Sequence, residues 1–138
     1  MSTTAIHATG TFSISGWDEK DGAEHEGAPR MTTARIVTTW RGDLEGESTS
    51  LSVMVYPAAD RAEYRGYERF VGRLADRAGT FVLRSDGAWE DGAATTRFTV
   101  VAGSGTGQLE GLTGEGGHVS RHGDQEVAYS LDYGIAAG

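Results

Sequence analysis

Glu68 is the residue in this chain best placed to do chemistry. It lies in Glu63-Tyr64-Arg65-Gly66-Tyr67-Glu68-Arg69-Phe70-Val71-Gly72-Arg73-Leu74. An extended backbone sends alternate side chains to opposite faces. Arg65, Tyr67, Arg69, Val71 and Arg73 then share one face, and Tyr64, Gly66, Glu68, Phe70, Gly72 and Leu74 share the other. Glu68 is the single acid on that glycine-rich, apolar face. Desolvation raises the pKa of such a carboxyl, so it can act as a general acid or base near neutrality. The structural alternative is an ion pair with an arginine, since buried acids are usually paired.

The other reactive residue types offer less. His118 and His122 would share a face of a helix and could form a metal pair there. Gly116, Gly117 and Gly123 flank them, however, and four extended residues span about 13 Å, so they read as surface-loop histidines. His25, between Glu24 and Glu26, reads likewise. Asp18, Glu19, Asp21, Glu24 and Glu26 lack calcium-loop spacing, and no metal is expected. No serine sits in a G-x-S-x-G elbow. Zero cysteines exclude thiolate nucleophiles, disulfides and cysteine zinc sites. The sole lysine, Lys20, lies in a solvated acidic stretch, a poor setting for imine chemistry. The run from Gly103 to Gly117 suggests a phosphate cradle but has no Gly-Lys-Ser/Thr ending, no G-x-G-x-x-G register and no helical pattern after it. It reads as turns and a bulge. No cofactor is expected.

The elements that must position Glu68 are strands. With 21 glycines and two prolines in 138 residues, turn signals recur at the interval of an all-β protein. Strands are expected near residues 7–17, 31–41, 47–56, 63–75, 80–90, 93–101, 107–112 and 126–134. The segment from Ala58 to Arg77 also carries a helical stripe of Tyr64, Tyr67, Val71 and Leu74. Gly66 and Gly72, at about 1 kcal/mol each in a helix interior, and the lack of an N-cap favour the strand.

Parity places the other interior side chains. Ala34, Ile36, Thr38 and Trp40 face away from Arg35 and Arg41; Phe81, Leu83, Ser85 and Trp89 face away from Arg84 and Asp86. Val127, Tyr129, Leu131 and Tyr133 form a third inward set. The interior is therefore aromatic, and Trp40, Tyr64, Phe81, Ser85, Trp89, Tyr129 and Tyr133 are the candidate ligand-binding residues around Glu68. Interior glycines make room for large neighbours and permit the coiling of a small barrel.

Composition narrows the partners. A formal charge of −8, with no run of basic residues, argues against nucleic acid and anionic membrane surfaces. No stretch approaches the roughly 18 apolar residues of a membrane span, and residues 1–7 lack a leader pattern, so a cytoplasmic location is expected. The length suits one domain over residues 1–138. A small apolar ligand is the expected partner, and association of several copies is compatible with everything above.

Several motifs carry a resemblance that spans nearly the whole chain. They are Arg41-Gly42-Asp43-Leu44-Glu45-Gly46, Gly66 with Glu68-Arg69, Gly72 with Leu74, and Gly79 with Phe81-Val82-Leu83 and Gly87. The Gly103–Gly116 run and Leu131-Asp132-Tyr133 complete the set. Together they resemble an uncharacterised bacterial family of allene-oxide-cyclase-like, lipocalin-like barrels. The resemblance implies an all-β, eight-stranded antiparallel closed barrel with a ligand-sized cavity. It implies no assigned reaction, although the plant cyclases use such a cavity to fold a reactive lipid. A cofactor-independent isomerase or cyclase, a non-catalytic carrier and a structural protein with a filled barrel all fit that fold.

Overall fold

Period-two alternation carries the chain through eight antiparallel strands. The computed structural model describes residues 5–136. In chain order the strands are β1 (Ile6–Asp21), β2 (Arg30–Gly42), β3 (Leu44–Ala58), β4 (Arg61–Leu74), β5 (Arg77–Glu90), β6 (Ala93–Val100), β7 (Leu112–Arg121) and β8 (Val127–Ile135). Each pairs with the next, and β1 returns to β8, with Ile6 opposite Tyr133 and Phe12 opposite Val127. The barrel is closed, which removes the open sheet edges that would template aggregation. No helix among the described residues is long and apolar enough to cross a membrane.

The ambiguous segment is strand β4, with Glu68, Phe70 and Leu74 buried and Arg65, Arg69 and Arg73 exposed. Parity also holds in β2, β5 and β8, where Trp40, Phe81, Leu83, Tyr129 and Leu131 are buried.

Two expectations are corrected. Residues 107–112 are not a strand: Gly107–Leu109 form a turn of 3-10 helix, and the strand begins at Leu112. The reason is backbone chirality, since Gly107 and Gly111 have φ of +61° and +84°, which side-chain-bearing residues rarely adopt. The second correction follows from the first. His118 is not in a loop but inside β7, opposite Thr96 of β6, and only His122 lies in the connection beyond.

β1 also runs past its expected end to Asp21. A bulge between Ile14 and Gly16 shifts the register and reverses the parity beyond it, turning Trp17 and Glu19 to the inner side. Glu19 is not simply solvated. Its carboxylate accepts from Trp17 Nε1, Thr32 Oγ1 and Tyr56 OH at 3.1, 2.6 and 2.5 Å. Burial raises its pKa, but these hydrogen bonds and nearby Arg30 outweigh burial and hold it below the usual carboxylate range.

Glycine and aromatic residues face each other across the strands. Gly10 pairs with Tyr129, Gly46 with Trp40, Gly87 with Tyr64, and Gly116 with Phe98. At Gly10, Gly87 and Gly116 the paired ring lies over the missing side chain, and at Gly46 the Phe70 ring does, so a tightly coiled wall can hold an aromatic interior. A Cβ at Gly116 would sit 2.8 Å from the Phe98 ring.

One end of the barrel is packed solid. Leu44, Leu74, Leu109 and Leu112 are fully buried there with Phe70, Phe81, Leu131 and Tyr133. Each large apolar side chain contributes about 1.5–3 kcal/mol. The glycine-rich run closes this end and covers an edge. Below Val100 strand β6 stops, and the side chains of Ser104, Thr106 and Gln108 accept from the backbone N–H groups of Val82, Thr80 and Ala78. The motif that resembles a phosphate loop thus satisfies the exposed donors of β5.

Candidate functional site

The other half of the lumen is open space. A cavity of about 400 Å³ lies among side chains from seven of the strands, β1 to β7. Of its exposed lining residues, Ile14, Trp17, Gly92, Arg121 and His122 mark the mouth, and Tyr67 on β4 is the other. Phe12, Trp40, Phe98, Glu68 and His118 lie deeper, where the cavity meets the packed half. The Phe12 ring stands between Trp40 and His118, with centroids 4.9 and 4.6 Å away, and Phe98 is 6.0 Å from His118.

Glu68 is buried, with 9% exposure, and lines this cavity. Trp40 Nε1 donates to Ser48 Oγ at 2.8 Å, and Ser48 Oγ donates to Glu68 Oε2 at 2.5 Å. These residues come from β2, β3 and β4 and sit diagonally in the register, where Gly46 rather than a larger residue faces Trp40. No arginine or lysine pairs with Glu68 among the described residues. Burial therefore pushes its carboxyl above the usual range, and the Ser48 hydrogen bond opposes this only in part.

His118 is the second ionisable group of the inner lumen, and desolvation pushes it down to about 4. Among the described residues its Nδ1 has no hydrogen-bond partner, nor does Ser85 Oγ on β5. Tyr64 OH and Thr96 Oγ1 are 2.5 Å apart on the same wall. No group of three or more His, Asp or Glu side chains is arranged to hold a metal among the described residues. In chemical terms the site is an apolar chamber with an acid of raised pKa, an imidazole of lowered pKa and a free hydroxyl.

Of the residues singled out from the sequence, Glu68, Trp40, Tyr64, Ser85 and Trp89 line the cavity together. Phe81, Tyr129 and Tyr133 point inward as expected but belong to the packed half and do not line it. Tyr129 instead braces the backbone, its OH accepting from Leu44 N at 2.8 Å and donating to Arg41 O at 3.1 Å. His118, Thr38, Thr96, Ser48 and Met54 were missed. For His118 the obscuring signal was its glycine-rich flank. For Thr38 the parity was already visible.

Fold and site together define a small antiparallel β-barrel, half packed and half hollow, with an acid in the hollow part. Residues 8–133 match the family described as "Protein of unknown function (DUF3224)", and the chain belongs to that family. Its structure is similar to the crystal structure of a DUF3224 protein with unknown function from Shewanella oneidensis MR-1. The two share 26% sequence identity and a TM-score of 0.83, over 97% of this chain and 99% of that one. No curated protein matches the chain.

Proposed function

We propose that the barrel takes up a small, largely apolar molecule in its lumen. The observation that carries this is the cavity of about 400 Å³, within the roughly 300–1,000 Å³ of small-molecule sites. A barrel filled by its own side chains, as many eight-stranded barrels are, has no such space. The aromatic wall supplies apolar contact, and the few polar groups at the inner end supply orientation. The formal charge of −8 supports a small-molecule partner over nucleic acid or an anionic membrane. The resemblance of its sequence motifs to allene-oxide-cyclase-like barrels, if it holds for this fold, is in keeping with that reading.

The chain's three tryptophans, Trp17, Trp40 and Trp89, all line the cavity. Titration with the neutral apolar probe N-phenyl-1-naphthylamine is therefore expected to quench tryptophan emission and enhance probe emission at one site per chain. An unchanged spectrum on both channels sinks the proposal.

A second reading is favoured by the uncompensated acid. Glu68 would serve as general acid/base in a cofactor-independent isomerisation or cyclisation, with the wall holding the substrate in its reactive shape. Glu68→Gln distinguishes enzyme from carrier once a turned-over compound is in hand: a catalytic Glu68 predicts retained binding and lost turnover.

A further inference from the structure

The hydrogen bonds behind Glu68 have a fixed direction, and that direction specifies what the lumen receives. An indole N–H can only donate. Ser48 Oγ therefore accepts from Trp40 Nε1, and its single proton goes to Glu68 Oε2, the one acceptor it contacts. Oε2 is thus occupied as an acceptor, and Oε1 makes no hydrogen bond among the described residues. With no cation beside it, burial favours the protonated form of this carboxyl, and with Oε2 already accepting from Ser48 that proton belongs on Oε1. We propose that Glu68 Oε1–H is the donor of an oxygen-acceptor subsite, and that the lumen's ligand is a neutral, mainly apolar ketone or similar carbonyl compound. This rests on the lumen-binding reading above.

Nearby groups agree with that chemistry. Leu83 pairs with Glu68, and Ser85 stands two residues along on the same face, so its unpartnered hydroxyl is a diagonal neighbour of the carboxyl. His118 brings a second unpartnered polar atom into the same inner region. A carboxylate headgroup is disfavoured because the only arginine in the lining is exposed Arg121 at the mouth. It would sit beside an acid with no counter-charge. An ammonium headgroup would have to ionise Glu68 and desolvate the resulting pair, which at best breaks even. A carbonyl oxygen needs only the proton already presented.

The test is displacement of N-phenyl-1-naphthylamine by three compounds of matched chain length: octan-2-one, octane and octanoate. Octan-2-one is expected to bind about tenfold tighter than octane, the effect of one net hydrogen bond, and octanoate more weakly than octane. Glu68→Gln, whose amide still donates, keeps the ketone preference. Glu68→Met abolishes it while octane affinity stays. Equal affinity for ketone and alkane, or tightest binding of octanoate, overturns the subsite and leaves the lumen reading standing. Failure of the probe and every competitor to bind overturns both. Urea unfolding of Glu68→Met shows that it is folded before the comparison is made, and Glu68→Gln carries the test if it is not.

Discussion

Ser48 stands between Trp40 and Glu68, 2.8 Å from the indole nitrogen and 2.5 Å from the carboxyl oxygen, and among the described residues it is the only hydrogen-bond partner of either group. Ser48 is itself 2% exposed, so water cannot replace it cheaply. Ser48→Ala leaves a buried donor and a buried acceptor unpaired, at about 1–3 kcal/mol each before relaxation. The expected loss is about 2–3 kcal/mol in urea denaturation. A loss below about 0.5 kcal/mol would mean that the relay does not hold the wall together.

Glu68 and His118 titrate in opposite senses, which predicts an unusual pH profile. Glu68 is raised above its ordinary 4.5 by burial, so the native state binds more protons there. Its contribution is complete below 4.5 and is lost as pH rises through the folded pKa. His118 is lowered from 6.5 to about 4 by burial, so the unfolded state binds more protons in that window. Its contribution is complete above 6.5 and is lost as pH falls toward 4, by up to about 3 kcal/mol. In the wild type the two slopes oppose each other above pH 4.5. Glu68→Gln should expose a steeper fall on acidification, and His118→Gln a decline as pH rises. Urea midpoints of the three proteins from pH 4 to 8 check both, and parallel curves refute them.

How much of this was legible beforehand depended on whether a residue's surroundings are set by parity or by chain reversal. Parity placed Glu68, Trp40, Ser85 and Trp89 correctly, because a closed barrel has one inside and alternation needs no long-range information. It could not separate Trp40, in the cavity wall, from Phe81 and Tyr129, in the packed half. That depends on which strands end where, and hence on the register. His118 was hidden by the same limit, since Gly114, Gly116 and Gly117 look like turn residues until Phe98 is seen filling the space over Gly116. Cross-strand neighbours were hidden too. Arg35, Leu51, Tyr67 and Arg84 form one row across β2 to β5, although they are far apart in the chain.

Tyr129 separates packing from binding. Its hydroxyl ties the backbone of Leu44 to that of Arg41 at the β2–β3 turn, and its ring faces Gly10. Tyr129→Phe removes both hydrogen bonds while keeping the ring, and is expected to cost about 1–2 kcal/mol. Binding of N-phenyl-1-naphthylamine should be unchanged, because the residue does not line the cavity. A variant of full stability with weakened probe binding would place Tyr129 in the site instead.

The glycines make the sharpest contrast available within one residue type. At Gly72 a Cβ would overlap the carbonyl of Glu45 and lie 2.8 Å from Gly46 Cα, its cross-strand partner. Both obstacles are backbone, so neither can rotate away, and Gly72→Ala must push β3 and β4 apart beside the Phe70 ring. Gly27 also has positive φ, at +82°, but nothing lies within 4 Å of the added atom. Gly27→Ala therefore carries only the left-handed backbone penalty, about 1–2 kcal/mol. Gly72→Ala is expected to cost at least about 3 kcal/mol or to leave the protein unfolded. Thermal and urea unfolding of the two variants measure the difference. Equal costs would mean that the β3–β4 wall is not held by close backbone approach.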